Sequence, residues 1–159
     1  MSKIFDQLLG VRGLGNDFLW PKYEDSLDPN MLPDMTKTVE RIRQAVDRGE
    51  KVLIYGDYDV DGVTASTALY DALRLAGIKE VEIMLPNRFL DGYGMSTKVV
   101  QKAIETGVKL VITVDCGSRN QEIVAELNKN NVDTIVTDHH ECGATLPEAV
   151  AVVNPKRKD

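Results

Sequence analysis

Val52-Leu53-Ile54-Tyr55-Gly56-Asp57-Tyr58-Asp59-Val60-Asp61-Gly62 is the stretch that decides how this chain folds. It begins with an unbroken apolar run, the pattern of a strand covered on both faces. It continues with Asp57, Asp59 and Asp61 at alternate positions on a tight turn that ends in glycine. Like charges so close together are costly unless a cation neutralises them, and hard divalent ions such as Mg²⁺ and Mn²⁺ take oxygen ligands of this kind. The stretch is therefore expected to form half of a metal site, with the rest of the chain supplying the other half.

Outward from it, helices and strands alternate. Upstream, a helix runs from Asp34 as its N-cap to Gly49, with Val39, Ile42, Ala45 and Val46 at helical spacing. The strand Lys51–Tyr55 follows, and downstream Gly62–Ala76 is a helix closed by Gly77. Val81–Leu85 is a strand, then Ser96–Glu105 a helix capped by Ser96 and closed by Gly107. Leu110–Val114 is a strand, and Arg119–Lys129 a helix capped by Ser118. Thr134–Thr137 and Ala149–Val153 are short strands. This alternation is the signature of βαβ units. The fold class expected is α/β: a mostly parallel, Rossmann-like sheet flanked by helices over residues 34–159. Residues 1–33, broken by glycines and prolines, are expected to be an irregular N-terminal arm.

The 159 residues are 43% hydrophobic and 28% charged, as in an ordinary single globular domain. No apolar run is long enough to cross a bilayer, so no membrane association is expected. Cys116 and Cys142 are the only cysteines, which points away from a disulfide framework and toward a reducing cytoplasm. The formal net charge of −6 argues against a broadly basic nucleic-acid surface, an argument softened if bound cations cancel some of the acids. Lys156-Arg157-Lys158 is the single basic run and reads as a solvated tail.

Ligands of open parallel sheets bind at the carboxyl ends of the strands. Here those ends carry Asp57, Asp59 and Asp61, then Asp115-Cys116-Gly117, then Asp138-His139-His140, and their convergence is the functional signal. Several other readings of the same residues exist. Asp57 to Gly62 matches the opening of an EF-hand loop, although its twelfth position is Ala68 rather than Glu. Gly56 to Gly62 followed by Val63-Thr64 has the outline of a P-loop, with a spacer one residue too long and no Lys. Asp59-Val60-Asp61-Gly62-Val63 resembles the haloacid-dehalogenase nucleophile motif. Cys116, His139, His140 and Cys142 are a zinc-type donor set. Asp115 is also placed to cap the helix after Ser118.

Gly56-Asp57-Tyr58-Asp59-Val60-Asp61-Gly62-Val63, Asn87-Arg88-Phe89-Leu90-Asp91-Gly92-Tyr93-Gly94, Thr113-Val114-Asp115-Cys116-Gly117, Thr137-Asp138-His139-His140 and Val153-Asn154-Pro155-Lys156 resemble, in this order, the motifs of the DHH phosphoesterase family, on its single-stranded-DNA exonuclease branch. Arg12-Gly13, Leu27-Asp28-Pro29 and Leu32-Pro33-Asp34-Met35 are similar to that branch's lead-in. The resemblance implies a two-metal phosphodiesterase using Mn²⁺ or Mg²⁺, with Asp59, Asp61, Asp115 and His139 as metal ligands and Asp115 as the bridge. It makes Asp57 and His140 the catalytic pair, Asp57 supporting the site and His140 beside the scissile phosphate. Asn87, Arg88, Tyr93 and Gly94 become the substrate-binding loop, with Arg88 contacting phosphate or, on the plainer reading, pairing with Asp91.

The implied activity is 5′-to-3′ degradation of single-stranded DNA to mononucleotides in DNA repair and recombination, with single-strand-binding protein and a helicase as partners of the complete enzyme. Two departures stand out. Tyr55 occupies a position where wider relatives carry a metal-binding His. The branch also continues past the equivalent of Asp159 into a further metal-binding motif, a second domain and an OB fold, so the chain is expected to be an N-terminal portion with little activity alone. A phosphoesterase for short oligonucleotides or cyclic dinucleotides, and a non-catalytic binding module, are the alternatives.

Overall fold

A computed structural model describes residues 3–90, 92 and 94–158, with the backbone alone at Asn16. The chain forms two units, Met1–Met31 and Leu32–Asp159.

In the first unit, the stretch expected to be irregular contains helix α1 (Lys3–Val11) and a single turn α2 (Asn16–Leu19), followed by 3₁₀ turns at Tyr23–Asp25 and Pro29–Met31. Ile4, Phe5, Leu8 and Leu9 share a face at helical spacing, and Gly13, at φ +62°, lets the chain leave α1. Gly10 is thus accommodated within the helix, and Gly13 marks its end.

The second unit carries α3 (Met35–Arg48), β1 (Val52–Gly56), α4 (Val60–Ala76), β2 (Val81–Met84), α5 (Thr97–Thr106), β3 (Leu110–Val114), α6 (Gln121–Lys129), β4 (Asp133–Thr137) and β5 (Ala151–Val153). The strands form one sheet of order β2-β1-β3-β4-β5, parallel at every pairing. Every residue of β1 and β3 is buried, because alternate side chains feed opposite cores. Leu53, Tyr55 and Val111 pack with Val99, Ala103, Val124 and Leu127 of α5 and α6. Val52, Ile54, Leu110 and Ile112 pack with Ala45 of α3 and Leu73 of α4. Each fully buried aliphatic side chain contributes roughly 1.5–3 kcal/mol, so the two central strands are the most firmly held part of the sheet. The edge strand β2 is less buried, and its Glu82 pairs with Lys51 at 2.5 Å and Lys102 at 2.7 Å.

Three expected caps make no side-chain capping bond. Asp34 stands at the start of α3 but makes no capping bond. Its carboxylate instead accepts from Arg157 Nη1 at 2.6 Å and from the Val152 amide at 3.2 Å, tying the chain after β5 to the head of α3. Ser96 precedes α5 without capping it. Ser118 lies three residues before the start of α6 at Gln121 and joins the rim described next.

Candidate functional site

Register builds the site. Gly56 pairs with Val114, Val114 with Thr137, and Thr137 with Val153, so four strands end in one row. The residues one step beyond that row are Asp57, Asp115, Asp138 and Asn154. The strand order also reverses between β1 and β3, the switch point at which sheets of this order open a ligand crevice. Asp57 and Asp115 stand on either side of it.

Around this row, one ligand atom each from Asp57, Asp59 and Asp115 lies within 4.8 Å of the others, and the same holds for Asp115, His139 and His140. Asp115 belongs to both sets. Asp57 is almost wholly buried and accepts from the Tyr58 amide at 2.7 Å. Asp59 is the N-cap of α4, accepting from the Gly62 amide at 3.0 Å. Asp61 falls in the first helical turn; it lines the same recess as Asp115 and His139 but is in neither tight set. This early helix start is incompatible with an EF-hand loop, which needs a dozen residues of loop from Asp57 onward.

Asp115 is at φ +61°, a conformation uncommon outside glycine and concentrated at functional sites. His139 Nε2 is 2.9 Å from its Oδ1. Asp138 is spent on holding the histidine segment: it accepts from the amides of Ser118, His139 and His140 and from His140 Nδ1 at 2.8 Å. That bond to Nδ1 fixes the orientation of the ring. Asn154, fully buried, donates to the His140 carbonyl and to Ser118 Oγ, both at 2.9 Å. Ser118 and Asn154 thus support the histidines, a role the sequence did not disclose. The polar residue right after an apolar strand, as at Asp57, Asp115 and Asp138, was the available signal for Asn154.

The electrostatics bear the mark of crowding. The Gly62 amide, outweighing the cost of burial, holds Asp59 below the usual carboxylate range. Burial, then the charge of Asp59, pushes Asp115 above it. Burial raises Asp138 too, but the bonds from His140 and Ser118 prevail and leave it lowered. Two overlapping sets of carboxylate and imidazole donors sharing one carboxylate fit hard divalent cations, whose charge would offset both the burial and the Asp59 repulsion that raise Asp115. Zinc through thiols does not fit. Neither cysteine joins a donor cluster among the described residues, and Cys116 is buried, with burial and then the charge of Asp138 raising its thiol pKa.

The substrate-loop candidates lie between β2 and α5. The Arg88 guanidinium sits 5.0 Å above the Tyr58 ring, which places it beside the acidic turn. Asn87 organises the loop by accepting from the Phe89 amide at 2.9 Å. Gly94, at φ +82°, accepts from the Tyr55 hydroxyl at 3.0 Å. Tyr55 therefore supports this loop from within the core. Tyr93, and the Asp91 that Arg88 was read as pairing with, lie outside the described residues.

Residues 51–159 match the family described as DHH family, N-terminal domain. The single-stranded-DNA-specific exonuclease RecJ of Dickeya dadantii is 41% identical over 133 residues, which are 84% of this chain and 23% of that protein. A crystal structure of exonuclease RecJ bound to manganese superposes with a TM-score of 0.76 at 34% identity, over 84% of this chain and 34% of that one. RecJ from Thermus thermophilus in complex with Mn²⁺ gives 0.74 at 31% identity, over 92% and 20%. The chain thus spans about a quarter of the length of the Dickeya relative.

Proposed function

The chain belongs to the DHH family, and on that premise we propose that it holds the metal centre of a 5′-to-3′ exonuclease specific for single-stranded DNA. The observation that carries this reading is the in-register row that gathers Asp57, Asp59, Asp115, His139 and His140 into two donor sets with a common member.

Asp59, Asp115 and His139, with Asp61 beside them, would hold Mn²⁺ or Mg²⁺, and Asp115 is placed to serve both sets. Bound cations would supply Lewis-acid activation of water and neutralisation of the phosphoryl oxygens. The chain's own residues do the rest. Asp57 fixes the acidic turn through the Tyr58 amide. Arg88, stacked on Tyr58, offers paired donors to a phosphate, on a loop that Asn87 and Gly94 shape. His140, its Nδ1 committed to Asp138, turns Nε2 toward the departing oxygen. In the net reaction water adds its oxygen to phosphorus, the bond from phosphorus to the 3′ oxygen breaks, and that oxygen leaves with a proton.

The relatives named above act on single-stranded DNA, and an enzyme confined to single strands depends on a helicase to open duplexes and meets single-strand-binding protein on its substrate. We read the activity as cytoplasmic and as serving DNA repair and recombination. No described helix is long and apolar enough to cross a membrane.

The test is a Mn²⁺ titration of the purified chain followed by incubation with 5′- and 3′-labelled single strands, duplexes, short oligonucleotides and cyclic dinucleotides. The expected result is chelator-reversible Mn²⁺ binding and cleavage that prefers single strands. Absence of Mn²⁺ binding, or cleavage of cyclic dinucleotides in preference to DNA strands, would overturn it.

A further inference from the structure

The histidine pair divides two recesses. His139 lines one with Asp61 and Asp115. His140 lines the other, a cavity of about 310 Å³ whose wall includes Gly117, Arg119, Glu141 and Lys156. A second hollow of about 520 Å³ shares Glu141 and Lys156 and adds Arg157 and Lys158. The basic run that read as a solvated tail therefore borders a groove leading away from His140.

Several cations of this acid-rich fold are committed to ion pairs elsewhere. Arg41 pairs with Glu50 and Asp133, Arg157 with Asp34, and Lys51 and Lys102 with Glu82. Arg119 and Lys156 differ. Arg119 uses Nε alone, donating to the Glu141 carbonyl at 2.8 Å, and its terminal nitrogens make no hydrogen bond among the described residues. Lys156 Nζ has Glu141 Oε1 at 3.5 Å, long for a charge-assisted bond. Two exposed, weakly engaged cations thus face a cavity beside a proposed cleavage centre, while Arg88 follows β2 at the far side of the acid row. Glu141 and the buried Asp138 are the opposing charges on that wall.

We propose that Arg119 and Lys156 form a second phosphate site, which holds the sugar–phosphate backbone of the single strand on the side of His140 opposite the acid row. The proposal rests on the reading of the chain as a binder of single-stranded DNA. With Arg88 it would put a cation at each end of the row, so that the strand crosses the acids at the one place where bound metal cancels their charge. Such contacts track the backbone without reading bases, and they make binding salt-dependent.

The test is fluorescence anisotropy of the whole chain in Mn²⁺ with a labelled, hydrolysis-resistant phosphorothioate oligothymidylate, across a range of salt. Arg119→Ala with Lys156→Ala is expected to lower affinity at least tenfold at low salt. The salt slope should fall by about 0.7 for each lost phosphate contact, about 1.4 in all. Glu141→Gln, which removes the competing carboxylate, should tighten binding, and Lys129→Ala, on an exposed lysine paired with Glu126, should change nothing. If the parent binds the strand and Arg88→Ala weakens it while the double variant keeps affinity and slope, this site is refuted and the broader reading stands. If the parent does not bind the strand at all, both fall together.

Discussion

Replacing Gly62 by alanine is the sharpest probe of how the acidic turn is held. In an ordinary helix interior Gly→Ala stabilises by about 1 kcal/mol. Gly62 lies in the first turn of α4 with an ordinary φ, so conformation alone gives no reason for glycine there. Space does: a Cβ at this position would stand 2.4 Å from the Asp57 carbonyl oxygen and 2.6 Å from its nitrogen. Those atoms are backbone at the end of a buried strand and cannot swing aside. Overpacking of this kind costs about 1–3 kcal/mol. Shifting α4 to relieve it also strains the Gly62–Asp59 capping bond, worth about 1 kcal/mol. Set against the propensity gain, the net expectation is a loss of about 1–3 kcal/mol. Because α4 must move relative to Asp57, Mn²⁺ binding should weaken as well. Urea unfolding with and without Mn²⁺ measures both effects. A variant as stable as the parent, with an unchanged Mn²⁺ response, would refute the close-approach argument. The same substitution at Gly10 in α1 meets nothing within 4 Å and should be harmless or mildly stabilising.

Three further outcomes are expected. Asp115→Asn should raise stability without metal at neutral pH, since its folded pKa is raised and its charge is a liability above the unfolded value. The gain should vanish as pH falls below about 4, and the variant should lose the Mn²⁺ stabilisation, about 2.7 kcal/mol at a hundredfold excess over Kd, that thermal unfolding reads in the parent. Asp34→Asn should have the opposite pH signature. Burial opposes ionisation, but the bonds from Lys37, Arg157 and Val152 prevail and bring Asp34 from 3.8 to about 2. The carboxylate therefore stabilises above pH 3.8, and that contribution disappears as pH falls through about 2. The full shift corresponds to about 2.4 kcal/mol, which solvent screening reduces to roughly 1 kcal/mol, seen as a parent–variant difference in acid titrations of stability. Tyr55→Phe should leave the Gly94 carbonyl without its buried donor, cost about 1 kcal/mol, and speed amide exchange in the loop before α5.

How much the sequence disclosed depends on which interactions are local. The apolar runs of β1 and β3 and the glycines after α3, α4 and α5 announce themselves within a few residues, because burial on both faces and a left-handed helix exit each demand particular residue types. The strand-end acids were legible for the same reason: Asp57, Asp115 and Asp138 each follow an apolar strand. That these ends meet on one edge was expected, but the order β2-β1-β3-β4-β5 and the exact register of the row were not legible, since register is a relation between segments far apart in the chain. The cap expectations for Asp34 and Ser118 failed on that account. A Ser or Asp before a helix satisfies the local rule, yet Asp34 bonds to Arg157 and Val152 across 123 and 118 positions, and Ser118 to Asn154 across 36. Longer-range partners with a charge or a buried amide outbid the nearest helix end.

His140 is held in position although no helix joins β4 to β5. Residues 138–150 cross as loop, and backbone groups there need partners that a crossover helix would have supplied internally. Side chains of and just before α6 provide several: Arg119 donates to the Glu141 carbonyl, Gln121 to that of Thr145 and Asn128 to that of Glu148. Asn154 closes the crossing at its far end through the His140 carbonyl. The histidine segment is thus fixed from both sides by side-chain-to-backbone bonds, and Arg119 anchors the crossing through Nε while its remaining nitrogens face the cavity. One residue that both braces the segment carrying His140 and faces incoming phosphate would link occupancy of the groove to the placement of the imidazole, so Arg119→Lys, which keeps the charge but not the planar fork, should loosen the 138–150 crossing in amide exchange more than it weakens strand binding.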